Sequence, residues 1–313
     1  MEKRSPDVLE VEKVNYHKIN SFTVVRRNGE VAPLDIQKIR KVVEWACEGL
    51  DASPIELESR LTTKLVDRTT TKNIQENLIQ ASLELCDLNE PDWRYVAGRL
   101  EAWSLWKDVL VSRGFQYENY SQLVKSHVEK GIYDRRILEY SEEELNEASS
   151  WIVPERDKDY DFAGFILLRK RYLLKDELPQ EALLTSALLL ALPEKKEERL
   201  FWARKIYDAV SLRKLSLATP MLANLRSPNG SVTSCFICAM DDTLESIFGE
   251  ITNAARISKF GGGVGMNVSR IRATGSDVMG RKNSSGGIIP WIKLLNDTAI
   301  AVNQGKLFCP SVA

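Results

Sequence analysis

Histidine is nearly absent from this chain: His17 and His127 are the only two in 313 residues. That disfavours a catalytic centre built on histidine or a multi-histidine metal site, and no metal is expected to be held here. Cysteine is scarce as well. Cys47, Cys86, Cys235, Cys238 and Cys309 form an odd, widely spaced set, which argues against a disulfide scaffold and suits a reducing, cytoplasmic setting. No run of about 18 apolar residues occurs, so no membrane span is expected. The opening MEKRSPDVLEVEK is charged and has no apolar segment, unlike a secretory signal. An excess of one charge is missing too. The formal net charge is −1, so nothing global attracts the chain to DNA or to an anionic membrane. What is there is an ordinary soluble composition, 43% hydrophobic and 28% charged. The length suits roughly two domains of about 100–200 residues each.

Residues 1–20 read as a polar tail. The stretch SFTVVRRNGEVAPLD then has β formers over Phe22–Arg26, a turn signal at Asn28-Gly29 and a return over Glu30–Pro33, which predicts a short hairpin. Asp35 stands at an N-cap position. Behind it Ile36, Ile39, Val42, Val43 and Ala46 recur at helical spacing until Gly49. Further helices are predicted from Pro54 to Val66, from a Thr71 cap to Leu88, and from Pro91 through Leu105. Residues 111–210 are also mostly helical. SEEELNEASSWI opens on a capping-box pattern, Ser141-x-x-Glu144, and LPQEALLTSALLLALP reads as a core helix. From residue 211 the texture changes to short apolar runs mixed with Pro, Gly, Asn and Ser. A buried strand is expected over Val232–Met240, a helix over Leu244–Lys259, glycine-rich loops around FGGGVGMNV and GRKNSSGGI, and a last helix from Pro290 to Val302. This pattern suggests the start of an α/β domain.

Several clusters invite a chemical reading. Arg26 and Arg27 on the hairpin and Lys38 on the next helix gather three cations, about what a triphosphate needs, with Thr71 and Lys107 available if later helices fold back. From charge spacing alone a solvated basic face is the stronger reading. Cys235-Phe-Ile-Cys238 lacks the second knuckle of a zinc site and does not open a helix as a thioredoxin-type pair does. In a strand, residues three apart point to opposite faces, so the two thiols are not expected to work together. Asp242-x-x-Glu245 reads first as a capping-box variant. Gly261-Gly262-Gly263-Val264-Gly265 fails the dinucleotide-binding spacing and follows a helix, although bare backbone permits close approach by a ligand.

The order VVRRNGEVAPLDIQKIRKVVEWA, TTTKNIQENLIQAS, PDWRYVAGRLEAWSLWK resembles the ATP-cone, a regulatory nucleotide-binding domain. The resemblance places its motif at Val24, Arg26, Arg27, Lys38, Thr71 and Lys107. Asp35 and Gln75 fall where related domains carry other polar residues, and Ala32 where some carry an acid. Farther on, LATPMLANLRSPNGSVTSCF, DDTLESI, GGGVGMNVSRIRATGS and SSGGIIPWIKLLNDT resemble the opening of the catalytic barrel of aerobic ribonucleotide reductase large subunits. The resemblance implies that Cys235 is half of the redox pair that reduces the ribose, leaving Cys238 structural. It implies that Thr219, Ser234 and Gly263 lie at the substrate site, and that Asp242 and Arg272 hold a dNTP effector at an allosteric specificity site. The implied architecture is α+β and predominantly helical: an ATP-cone over 21–110, a helical reductase domain over 111–210, and the first strands and helices of an incomplete α/β barrel over 211–305.

The implied effectors are ATP or dATP at the cone and a dNTP at the second site. A radical cofactor is expected on a partner small subunit, and thioredoxin or glutaredoxin is expected as reductant. Self-association of the large subunit and completion by a C-terminal half are also implied. Residues 306–313, Lys306-Leu-Phe-Cys-Pro-Ser-Val-Ala313, depart from the family pattern. The radical cysteine, its neighbouring acid and amide, and the second redox thiol are therefore expected elsewhere, and the chain is expected to be inactive by itself. The alternatives are a nucleotide-binding regulator without catalysis and a truncation product. ATP-cones also occur in repressors behind a zinc ribbon, but no paired CxxC precedes residue 20.

Overall fold

A computed structural model describes residues 22–114, 119–228, 230–259 and 262–302. The polar tail 1–20, Asn303–Gly305, the ending 306–313 and its Cys309 lie outside the described residues. The chain divides into two compact units, Met1–Tyr117 with Val153–Lys170, and Glu118–Ile152 with Arg171–Ala313. Residues 153–170 thus pack with the first unit, although they follow 118–152 in the chain.

The first unit opens with the predicted hairpin, β1 (Thr23–Val25) antiparallel to β2 (Val31–Pro33). Gly29, at φ +85°, supplies the left-handed turn residue. Helix α1 (Ile36–Cys47) follows, capped as expected by Asp35, whose carboxylate accepts from the Lys38 N–H at 3.2 Å. Helix α2 (Pro54–Thr62) ends a turn earlier than expected. Next comes a third strand that periodicity missed, β3 (Thr69–Thr70), paired parallel to β1 in the order β2-β1-β3. It is two residues long, too short to show alternation. It also moves the helix cap. Helix α3 (Thr71–Leu85) is capped by Thr70, whose hydroxyl accepts from the Asn73 N–H at 3.0 Å, and not by Thr71. An N-cap needs extended backbone, which Thr70 has through its strand pairing, whereas Thr71 already lies in the first turn.

Helix α4 (Trp93–Ser112) runs through the core of the unit, which is built on Val43, Leu57, Leu78, Trp93, Val96 and Leu100. Segment 153–170, with a 3-10 turn over Pro154–Asp159 and helix α7 (Phe162–Leu167), packs against α4. The approach is close at Gly98, where a Cβ would sit 2.4 Å from the Tyr160 carbonyl oxygen. Backbone cannot yield there as a side chain does. Gly98→Ala is therefore expected to destabilise the unit by about 1–3 kcal/mol, measurable by chemical denaturation. An unchanged midpoint would mean that the segment shifts away freely.

In the second unit, α5 (Tyr120–Glu129) precedes α6 (Glu142–Ser149), which carries the predicted capping box. Ser141 Oγ accepts from the Glu144 N–H and the Glu144 carboxylate accepts from the Ser141 N–H. Helix α8 (Pro179–Ala191) is buried almost all round and packs along α9 (Arg199–Ser211), with Tyr133, Ile137 and Tyr207 completing that core. Helix α10 (Thr219–Asn224) leads to a parallel pair, β4 (Cys235–Ala239) and β5 (Gly263–Asn267). Helix α11 (Leu244–Lys259) connects the two strands and packs on both. Helix α12 (Ile289–Ala301) packs on α11.

Two expectations are corrected here. The strand around Cys235 is not buried: Cys235 is exposed and Ile237 is 91% exposed. Among the described residues β4 pairs with β5 alone, and α11 covers only one face of the pair. The stretch expected to be a glycine-rich loop becomes β5, because the backbone of Gly263–Asn267 pairs in register with Cys235–Ala239. The close approach falls at Gly262, where a Cβ would meet Ile257 at 2.6 Å and Phe236 at 2.7 Å.

Candidate nucleotide and thiol sites

In the first unit the hairpin, α1, α3 and α4 enclose a cavity of about 390 Å³. All six residues of the first motif line it: Val24, Arg26, Arg27, Lys38, Thr71 and Lys107. Each arrives by a different local cause. Arg26 and Arg27 lie where the hairpin turns, Lys38 in the first turn of α1, and Thr71 in the first turn of α3 because Thr70 has taken over the cap. Lys107 comes from α4, more than thirty residues later. Val24 and Ile39 supply apolar wall, as do Leu78 and Trp103.

The electrostatics of the cavity are lopsided. Four basic side chains line it against one acid, Asp35. Arg26 is paired with Glu30 at 2.9 Å and Lys38 with Asp35 at 3.4 Å. Arg27 donates through Nε to Asp108 at 3.2 Å, but its Nη2 is buried without a hydrogen-bond partner. Lys107 has no carboxylate within ion-pair range among the described residues. Its ammonium rests 4.9 Å above the Trp103 ring. Burial, together with the nearby Arg27 guanidinium, lowers the Lys107 pKa below the ordinary lysine range. Two crowded cations and an unused guanidinium donor make this a cavity built for an anion. Gln75, singled out in the sequence, also lines it, with Nε2 bound to the Leu100 carbonyl at 2.8 Å. Trp103 in the wall, and Asp108 behind Arg27, were not anticipated. No spacing rule marks them, since only the fold of α4 against the hairpin places them.

A second cavity, of about 480 Å³, opens at the start of α11 in the second unit. Asp242 and Arg272 both line it and are joined, Arg272 Nε to Asp242 Oδ2, at 2.5 Å. The expected capping role of Asp242 is corrected. Thr243 caps α11, its hydroxyl accepting from the Ser246 N–H at 3.2 Å, while the Ser246 hydroxyl accepts from the Asp241 N–H at 2.9 Å. The cap falls one residue later than expected, which leaves the Asp242 carboxylate facing the cavity. The loop Ser284-Ser285-Gly286 and Trp291 complete the wall.

The remaining candidates divide. Ser234, Cys235 and Gly263 come together: the Gly263 N–H donates to the Ser234 carbonyl at 2.7 Å, and Cys235 pairs with Gly263 in the β4–β5 register. Cys235 is a free, exposed thiol. Cys238 faces the other way, and burial plus the nearby Glu250 raise its pKa, as suits an unreactive thiol. Thr219 lies on α10. It hydrogen-bonds the Tyr172 hydroxyl at 3.3 Å, and no hydrogen bond among the described residues joins it to β4 or β5. Among the described residues no group of three or more His, Cys, Asp or Glu is placed to hold a metal, and no helix is long and apolar enough to cross a membrane.

Three family models match along the chain: an ATP cone domain over residues 22–108, the ribonucleotide reductase all-alpha domain over 158–230, and the ribonucleotide reductase barrel domain over 233–307. The chain belongs to the ribonucleotide reductase large subunits. It is 64% identical over 289 residues to a ribonucleoside-diphosphate reductase subunit alpha of Synechocystis sp., covering 92% of this chain and 38% of that protein. It is 38% identical to a subunit alpha of Helicobacter pylori, covering 90% of this chain and 36% of the relative. It is 31% identical to a subunit alpha of Escherichia coli K12, covering 91% and 38%. The chain thus corresponds to the N-terminal portion of a reductase large subunit and spans well under half the length of these relatives.

Proposed function

We propose that this chain supplies the regulatory nucleotide sites and one redox thiol of a ribonucleoside-diphosphate reductase. On this reading residues 21–110 are the ATP-cone, 111–210 the helical reductase domain and 211–305 the opening of the catalytic barrel. The carrying observation is the shared cavity of Val24, Arg26, Arg27, Lys38, Thr71 and Lys107, where, among the described residues, Lys107 lacks a carboxylate and Arg27 keeps a buried, unbonded donor. A triphosphate of ATP or dATP fits that charge and that volume, and the apolar wall offers a surface for the base. The cavity of Asp242 and Arg272 is the candidate dNTP site, where the carboxylate accepts from the deoxyribose 3′-hydroxyl and the guanidinium meets phosphate.

Reduction at the ribose removes the 2′-hydroxyl as water while a dithiol becomes a disulfide, which accounts for two electrons and two protons. Cys235 is the thiol this chain provides, with Ser234, Gly263 and Thr219 at the substrate. The radical cofactor expected on a partner small subunit supplies the oxidising equivalent that starts the reaction. The second thiol belongs to a C-terminal half of the large subunit, and a thioredoxin or glutaredoxin resets the disulfide. A nucleotide-binding regulator without catalysis is the second reading, favoured by how much of the described chemistry lies in the two nucleotide cavities.

Calorimetric titration with ATP tests the cavity. Arg27→Ala, Lys38→Ala and Lys107→Ala are each expected to weaken binding by about tenfold or more. Unchanged affinity in all three would remove the assignment. Binding should also depend on pH with a defined sign. Phosphate is attracted to the protonated ammonium of Lys107, whose pKa is lowered in the empty cavity. Affinity is therefore highest below that pKa and falls as pH rises through it, earlier than an ordinary lysine would dictate. Lys107→Gln should flatten this slope. Co-expression with a C-terminal half, followed by effector-dependent reduction of CDP, separates the reductase reading from the regulator reading.

A further inference from the structure

Asp108 is shared by two arginines. Its Oδ1 accepts from Arg27 Nε at 3.2 Å and its Oδ2 from Arg169 Nη2 at 2.7 Å. Arg27 lines the anion cavity, whereas Asp108 and Arg169 do not. Arg169 is held on its other side by Glu101 at 2.5 Å. The four charges alternate in sign from the cavity outwards, and all are at least two-thirds shielded from solvent. Ion pairs so placed are screened less than exposed ones. The Arg27 guanidinium is only half engaged, since Nε serves Asp108 while the buried Nη2 has no partner.

We propose that Asp108 sets the affinity of the cavity by competing with the ligand's phosphates for Arg27, and that Arg169 sets how strongly Asp108 competes. The inference rests on the polyphosphate reading of the cavity and adds two positioning residues outside its wall. A carboxylate bound to a cavity cation offsets that cation's charge. When a phosphate takes over Arg27, Asp108 is left to Arg169, so each exchange is a difference between two ion pairs. Because coupling is reciprocal, any change that weakens the Asp108–Arg27 pair must favour the phosphate, and any change that strengthens the pair must oppose it.

The test titrates the full chain with inorganic triphosphate, which carries the charge without the base. Asp108→Asn keeps the side-chain shape and removes the competing charge. It is expected to tighten binding by about three- to tenfold. Arg169→Gln leaves Asp108 wholly to Arg27 and should weaken binding by a similar factor. The double variant should bind like Asp108→Asn alone, because Arg169 acts through Asp108. A merely structural role would make all three bind equally or weaken all three. Thermal melting identifies any variant that has lost its fold, and Arg169→Lys, which keeps the charge, should then lie between wild type and Arg169→Gln. Unchanged or weaker binding in folded Asp108→Asn overturns the proposal while leaving the cavity assignment standing. Failure of the wild-type chain to bind triphosphate at all overturns both.

Discussion

Replacing Arg226 with methionine is expected to destabilise the second unit by about 3–5 kcal/mol, the usual cost of stranding one member of a buried ion pair. Arg226 is 1% exposed and its guanidinium is fully engaged. It donates to both oxygens of Glu177, at 2.7 and 3.0 Å, to Ser186 Oγ at 2.9 Å, and to the carbonyls of Leu222 and Tyr172 at 2.9 and 2.8 Å. Burial disfavours its charge, and Glu177 more than offsets this, so its pKa is raised. Glu177 also accepts from the Tyr133 hydroxyl and the Leu174 N–H, both at 2.8 Å. Methionine fills the space and supplies none of these donors. The Glu177 carboxylate would then be buried without its counter-ion. Arg226→Met with Glu177→Leu removes both charges and should recover much of the loss. Denaturant unfolding of the three variants decides the matter. A double variant no more stable than Arg226→Met would mean that the individual hydrogen bonds matter more than the pairing of charges.

A second large effect is expected at Arg99. Helix α1 ends at Cys47, and its last carbonyls have no partner within the helix. Arg99, on α4, reaches across and donates through Nη1 to the carbonyls of Ala46 at 2.9 Å and Glu48 at 2.7 Å. Its Nε donates to the Lys158 carbonyl at 3.1 Å. One buried cation therefore closes the end of α1, complements its dipole and ties down the turn at Pro154–Asp159. Arg99→Met should cost about 2–4 kcal/mol, since one buried and two part-buried acceptors lose a charged donor. Hydrogen exchange should quicken at the end of α1 and across residues 154–160 together. Faster exchange in only one of those places would show that the two attachments are independent. Because α1 carries Lys38, ATP affinity should fall as well, although Arg99 does not line the cavity.

The two positions illustrate how the fold and the sites differ in legibility. Arg99 and Arg226 looked like ordinary cations in the sequence, with nothing local to mark them as buried. Asp35 and Ser141 were legible as helix caps, and each makes its expected hydrogen bond. Asp242 looked like a third cap, yet its carboxylate goes to Arg272, thirty residues away, and Thr243 caps instead. Thr71 was displaced from its cap by Thr70 for a related reason, the pairing of β3 with β1. In both cases a neighbouring hydroxyl one position along was equally able to cap, and a long-range contact decided between the two.

The amino-acid sequence by itself determined most of the longer helices, the hairpin turn and the family, because a 3.6-residue period, an i to i+3 cap and a turn dipeptide act within a few residues. Through motif resemblance it also pointed to the side chains proposed above to carry the chemistry. Tertiary structure alone decided that the six cone residues share one cavity, that residues 153–170 pack with the first unit, that β4 pairs in register with β5, and that Asp108 stands between Arg27 and Arg169. Those facts depend on charges and surfaces meeting across 30 to 81 residues of chain, where the partner of an ion pair is set by packing and not by spacing.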